Sequence, residues 1–356
     1  YVEGGKVECG PVAMNGAYYT SSGKAALILD NGAEMDLGSS AVNVVNTSYS
    51  CQGQHESTVS LNGSSRLRAW SVYQSFTPSA EKGMTLGLRK TALNFNGGTF
   101  VPSTDNLTIF GKYSTMAPVQ HIVVYPGGMK IDTDGKKGTV IEQDLEGVAG
   151  DGVASVDISG LDIPDLTCAP YVAIEGDGTG AVAVAVWDSA TWKLKGIKVI
   201  NPGVNYKTAT AQIRIVSGTY AWDAPCTLGA NANTGSFTKT GDGDLTLKGT
   251  NTYGGATILA GGVLKVAGEK AIPGTTIAYR GGSLEVTSAG KLPSAFSVDV
   301  GDPETVHKCT LATFAEAPEE LPAVTVVGGN PQEWKTVLVG RELRVRRAVG
   351  SLLIVR

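Results

Sequence analysis

Apolar and polar residues alternate along short stretches of this chain, and each stretch is broken by a Gly-Gly or Asn-Gly step before a second alternating run begins. The pattern reads LILDNGAEMDL over residues 27–37, VSLNGSSRLRAW over 59–70, LNFNGGTFVP over 93–102 and IVVYPGGMKID over 122–132. It returns as TILAGGVLKVAG over 257–268 and TIAYRGGSLEVTS over 276–288. Period-2 alternation sets every second side chain on one face, and a glycine lets the backbone pass through positive φ between two strands. The second glycines fall at Gly32, Gly63, Gly98 and Gly128, at intervals of 31, 35 and 30 residues, and later at Gly262 and Gly282, an interval of 20. Self-similarity on this scale predicts a solenoid, in which each strand pairs in parallel with its counterpart in the next coil and buries a ladder that one unit cannot bury alone. A β-sandwich would show the same dipeptides, because Gly-Gly also fits a tight hairpin.

Composition adds to this picture. The 356 residues include 47 glycines and only 17% charged residues, the balance of a chain made of strands and turns, and no stretch has helical periodicity. A net charge of −4 and the lack of a Lys/Arg block give no case for a nucleic-acid partner. The most basic run, RELRVRRAV over 341–349, alternates with apolar residues and reads as the solvent face of a strand. Apolar runs fall far short of the ~18 residues of a spanning helix. The chain starts at Tyr1 without Met or a signal-like region, as expected for a processed protein or a piece of a longer one.

The segment SFTKTGDGDLTLKGTNTYGGATILAGGVLKVAG, residues 236–268, closely resembles the autotransporter-associated β-strand repeat of bacterial passenger proteins. Lys239, Gly241, Gly243, Leu245, Leu247, Gly249, Asn251, Thr252, Tyr253, Gly255, Thr257, Ile258, Gly261 and Leu264 occupy the motif positions, with Gly262 completing the final glycine step. The resemblance covers about a tenth of the chain and implies coils of a right-handed parallel β-helix on a secreted or surface-exposed protein. Structural roles follow. Leu245, Leu247, Ile258, Leu264 and Val266 are expected to point inward with Lys248 and Lys265 outward, since an unpaired buried lysine is costly. The Asn251 amide is expected to satisfy turn backbone groups and stack on an equivalent in a neighbouring coil, with Tyr253 packed over the corner. The tail, with Trp334, Gly340, Leu343, Val345 and the final apolar run, resembles the ending of repeat paralogues from Lentisphaerae and Verrucomicrobia-type bacteria. That implies a chain end with no fused membrane barrel.

Residues 138–217 lack the Gly-Gly coil. Within them, Val199, Asn201, Pro202, Gly203 and Tyr206 form a V-x-N-P-G-x-x-Y element resembling a small all-β module inserted in secreted and phage-tail-like proteins. The expected division is therefore coils over 1–137, an inserted β-rich module over 138–217, coils again over 218–298 and a C-terminal β segment or cap over 299–356. Trp187 and Trp192 flank a turn in the module and fit either a carbohydrate platform or core packing.

Catalysis finds little support. KIDTDGKKG over 130–138 resembles part of a polygalacturonase-type element through Asp132, Asp134 and Gly135, but the accompanying Asp-Asp, Gly-His-Gly and Arg-x-Lys elements are missing. The histidines, His55, His121 and His307, sit in no triad-like context. Asp-Gly pairs in residues 241–245 and 175–180 could take calcium, yet lack nonapeptide spacing, and turns account for them. No catalytic residue, metal or cofactor is expected. Cys9, Cys51, Cys168, Cys226 and Cys309 lack metal-site spacing; in an oxidising compartment Cys168–Cys226 and Cys9–Cys51 are the expected disulfides.

The reading reached is a secreted, non-enzymatic, all-β right-handed parallel β-helix with an inserted β-rich module, a structural component of a surface or fibre assembly. It would self-associate as a homo-oligomer or filament through its ends, with Leu352, Leu353, Ile354 and Val355 as the joining strand. The alternatives are a monomeric adhesin-like protein binding surface glycans and, behind it, a β-helix polysaccharide-degrading enzyme.

Overall fold

The computed structural model describes residues 1–14, 23–45, 55–75, 89–111, 116–215, 220–330 and 332–348, and every regular element among them is a strand. Cys51 and residues 352–355 lie outside the described residues.

Four sheets carry the repeats. The first stacks β1 (Val2–Glu3), β4 (Gly23–Asp30), β7 (His55–Asn62), β10 (Arg89–Asn96), β13 (His121–Val124) and β16 (Glu146–Gly147), in that order. The second runs through β2 (Lys6–Glu8), β5 (Glu34–Asp36), β8 (Arg66–Ala69), β11 (Thr99–Pro102), β14 (Met129–Asp132), β23 (Phe237–Thr240), β25 (Thr257–Leu259), β27 (Thr276–Tyr279), β29 (Ala295–Asp299) and β31 (Ala323–Val326). A third holds β3 (Val12–Ala13), β6 (Val42–Asn43), β9 (Val72–Ser75) and β12 (Met116–Ala117), with β12 antiparallel to β9. The fourth runs β15 (Thr139–Ile141), β24 (Asp244–Leu247), β26 (Val263–Val266), β28 (Ser283–Val286), β30 (Lys308–Phe314), β33 (Glu342–Arg347) and β32 (Trp334–Val339).

The strands on either side of a glycine step do not pair with each other. β4 pairs in parallel with β7, and β5 in parallel with β8; β25 and β26 likewise pair with β27 and β28. The steps are therefore corners between sheets and not hairpins, and the chain passes from sheet to sheet before stacking on its own previous pass. Positive φ at Asn31 (50°), Gly32 (79°), Gly63 (58°), Gly128 (84°) and Gly262 (59°) makes these corners. Early passes place a strand in three sheets and later ones in two, which accounts for spacings near 31 residues giving way to 20.

Parallel register stacks like on like inside. Met35, Leu67, Phe100 and Ile131 form one inward ladder, and Leu247, Val266 and Val286 another; all are buried. Leu245 and Leu264 are buried as expected, while Lys248 is exposed and Lys265 turns outward to Asp244 at 2.8 Å. Ile258 departs from expectation: Thr257 and Leu259 point inward and Ile258 is half-exposed. The inward slot goes to Thr257 because its hydroxyl meets the buried Tyr253 hydroxyl at 2.7 Å.

The inserted module has different borders from those expected. β15 and β16 still pair with the stack, whereas β22 (Ala221–Ala230) belongs to the module, pairing antiparallel with β17 (Asp151–Val156) and β21 (Ala209–Arg214). The module thus occupies residues between β16 and β23, and 138–217 is corrected at both ends. β18 (Tyr171–Gly176) closes its four-stranded sheet and β19 (Val182–Asp188) pairs with β20 (Lys193–Asn201) as a hairpin. The module folds back on the outer face of the first sheet. Asn94 Nδ2 donates to Gly180 O at 2.8 Å, Lys24 Nζ to Ile174 O at 2.7 Å, and Ile28 packs with Val182 and Ile200.

At the C-terminal side β33 is antiparallel to both β30 and β32. Leu343 and Val345 are buried and Arg346 is exposed, as the alternating basic run implies. Cys168 and Cys226 are free thiols, so the expected bridge is not formed. Cys168 is exposed in the loop before β18, and Cys226 is on β22 against the module core.

Phe100 is fully buried with its ring 4.8 Å from that of Phe110. Phe100→Ala should cost about 3–5 kcal/mol in denaturant unfolding, whereas Ile258→Ala, on the outward side of β25, should cost less than half as much.

Candidate functional site

The segment singled out by sequence folds as two successive passes, β23–β24 and β25–β26, in the middle of the stack. Its glycines are set by contact with the neighbouring pass. A Cβ on Gly243 would fall 1.8 Å from Lys136 O, on Gly249 2.3 Å from Gln143 O, on Gly254 1.9 Å from Asn233 O and on Gly255 2.5 Å from Thr234 O. Gly241 and Gly262 add positive φ to the same crowding, while Gly261 has looser surroundings, its nearest neighbour being Gly241 N at 3.2 Å.

Asn251 ties three passes together. Its Oδ1 accepts from Leu145 N at 2.8 Å, and its Nδ2 donates to Ala271 O at 2.6 Å. The amide therefore bonds backbone on both sides and does not stack on an equivalent asparagine, since Leu145 and Ala271 stand at its neighbours' corners. Tyr253 is buried beside Phe237, their ring centroids 5.9 Å apart, and burial raises its hydroxyl pKa.

Lys239 was unforeseen as an interior residue. It occupies the inward ladder between Ile131 and Leu259 and is fully buried. Its Nζ donates to Thr240 O (2.9 Å), Gly241 O (2.7 Å) and Gly261 O (3.0 Å), one carbonyl for each ammonium hydrogen. Burial lowers its pKa to about 8 against the opposing pull of Asp132, Asp244 and Asp242. The sequence signal was parity: Phe237 and Lys239 share one face of the alternation.

Residues 237–266 match the family model described as passenger-associated-transport-repeat. No curated protein and no solved structure matches the chain. In this repeat the Lys-x-Gly-x-Gly element thus reads physically: the glycines let two passes approach, and the lysine collects the carbonyls that the approach turns inward.

The other candidate residues are committed elsewhere. Asp132 receives Arg66 at 2.8 Å and Asp134 receives Arg68 at 2.7 Å, each arginine reaching across one intervening pass. The Arg68 guanidinium holds the Asp134 carboxyl below the usual carboxylate range, the opposite of what a general acid needs. The turn through Asp134 and Gly135 leads to β15, which pairs with β24 in the fourth sheet. Asp244 accepts from Gly138 N, and Asp177 from Lys207 N and Thr208 N. Among the described residues no group of three or more His, Cys, Asp or Glu could hold a metal, and no helix is long and apolar enough to cross a membrane. Tyr206 is buried in the module core under Gly178, where a Cβ would fall 2.2 Å from its ring. Trp187 and Trp192 meet edge to face at 5.9 Å at the tip of the β19–β20 hairpin, each covering part of the other.

Gly243→Ala should destabilise the protein by about 1–3 kcal/mol, while Gly10→Ala, in open space, should stay within about 0.5 kcal/mol; chemical denaturation compares them. Lys239→Met should cost about 1–3 kcal/mol by leaving buried carbonyls short of donors. Because the folded-state pKa of Lys239 lies below its ordinary 10.5, the unfolded chain holds more protons between pH 8 and 10. Wild-type stability should rise there relative to Lys239→Met, and unfolding of both proteins at pH 7.5 and pH 9.5 checks the sign.

Proposed function

We propose that this chain is a passenger-type protein of a bacterial surface: secreted, non-enzymatic, a right-handed parallel β-helix serving as a structural scaffold that self-associates. The observation that carries this reading is the matched repeat at residues 237–266, whose glycines, asparagine and lysine are spent on stacking one pass on the next. A catalytic role is disfavoured by the arginine pairing of Asp132 and Asp134. Self-association is supported by the outermost strands of the second sheet: among the described residues, β2 and β31 each pair on one side alone. Val2, Val7 and Val12 at the first pass are only half-buried, and such strand edges favour pairing with another chain. Glycan binding is the second reading, favoured by the half-exposed Tyr1 and Tyr171 at the rim of a cleft beside the module.

Protease shaving of intact producing cells, with light scattering of the purified protein, tests this. Release of peptides from this chain without lysis, and a mass that grows with concentration, are expected. Protection in intact cells would contradict the surface assignment, and a monomer at all concentrations would contradict self-association.

A further inference from the structure

Asn-Gly steps occur at residues 15–16, 31–32, 62–63 and 96–97; the first lies outside the described residues. Such a pair can modify itself, because the glycine amide nitrogen can attack the asparagine Cγ and no Cβ on the glycine obstructs the approach. Whether it does depends on the freedom of that nitrogen. Asn62 and Asn96 are the last residues of β7 and β10 and are partners in the ladder. Gly63 N donates to Asn96 O at 2.9 Å and Gly97 N to Gly128 O at 2.7 Å, so both attacking nitrogens are engaged. Asn62 is also buried, and Asn96 Oδ1 is anchored by Gly127 N at 2.9 Å. Asn31 lies instead one residue beyond the end of β4 and is exposed. Among the described residues Gly32 N meets no acceptor.

We infer that Asn31 is a site of spontaneous covalent modification, converting to aspartate and isoaspartate through a succinimide, and that the conversion loosens β1 from β4. Gly32 N gives up its proton to solvent base and bonds to Asn31 Cγ; the Cγ–Nδ2 bond breaks, and the nitrogen takes a proton and leaves as ammonia. Water then opens the ring at Cγ, giving aspartate, or at the main-chain carbonyl, giving isoaspartate. One water is consumed, one ammonia is released, and nothing is oxidised or reduced. The position gives the change its consequence. Asn31 Nδ2 donates to Glu3 Oε1 at 2.5 Å, so the product sets a carboxylate where a donor stood, facing Glu3 and adjoining Asp30. Lys198, 3.3 Å from Asp30, is already paired with that carboxylate. β1 is registered on β4 over two residues, Val2 on Leu29 and Glu3 on Asp30, with Gly4 N donating to Asp30 O at 3.1 Å. Like charges facing across so short a pairing favour its separation, and isoaspartate adds a methylene to the main chain of the corner as well.

Peptide mapping by mass spectrometry of the folded protein, held at mildly alkaline pH and digested in heavy-oxygen water to mark conversion during handling, tests the site. A gain of about 1 Da should accumulate at residue 31 about tenfold or more faster than at residues 62 and 96, since those two steps must open locally before their nitrogens are free. In denaturant the three rates should converge. Equal rates at the three sites in the folded protein, or no conversion at residue 31, would overturn the assignment. Amide hydrogen exchange tests the consequence. Asn31→Asp should raise exchange at Gly4 and leave β7 unchanged, and Asn31→Gln, whose ring closure needs a larger and slower-forming ring, should keep Gly4 protected through an incubation that exposes it in the wild type. Unchanged exchange at Gly4 in Asn31→Asp, or equal loss of protection in wild type and Asn31→Gln, would overturn the loosening of β1.

Discussion

Successive passes of this chain lie one strand spacing apart, about 4.8 Å, and at the corners that spacing leaves no room for a side chain directed at the neighbour. The constraint recurs through the second half of the stack. A Cβ at Gly243, Gly249, Gly254, Gly268 or Gly290 would fall within 2.5 Å of a backbone oxygen in the adjacent pass. Parallel register follows, because only a corner placed directly over its predecessor brings the glycines into contact, and from register follow the ladders of Leu, Val, Ile and Phe that fill the interior.

Close backbone approach creates a second problem, since carbonyls at the corners turn toward the partly buried interior. Two side chains answer it in the matched repeat. Asn251 supplies one donor and one acceptor to the passes on either side, and Lys239 places three donors among the carbonyls of Thr240, Gly241 and Gly261. Burying the ammonium works against its charge, as the lowered pKa records, but an unsatisfied buried carbonyl is costly as well. A lysine inside a β stack is thus consistent with a core that is otherwise apolar.

Much of this was legible in the sequence. Alternation broken by glycine located the corners, and the change in interval from about 31 to 20 residues marked where three strands per pass become two. Whether a Gly-Gly step is a hairpin or a corner was not legible, because both need the same backbone freedom; the partners of β4 and β25 decide it. Parity failed at Ile258, where hydrophobicity favoured the wrong residue and a hydroxyl pair with Tyr253 placed Thr257 inside. The border of the module was misplaced because β15 and β16 carry no glycine step, and β22 reads no differently from a coil strand. Cysteine count alone could not place Cys168 and Cys226, which belong to different parts of the module.

Cysteine cross-linking tests the stacking of passes most directly. Thr238 and Ile258 are adjacent in parallel register on the outer side of the second sheet, while a hairpin at the Gly261–Gly262 step would instead set Ile258 opposite Lys265; the native cysteines are first replaced by serine. Oxidation of Thr238→Cys/Ile258→Cys should give an intramolecular disulfide in high yield without loss of the fold, and Ile258→Cys/Lys265→Cys should give none. The reverse outcome would contradict the parallel stack and the account built on it.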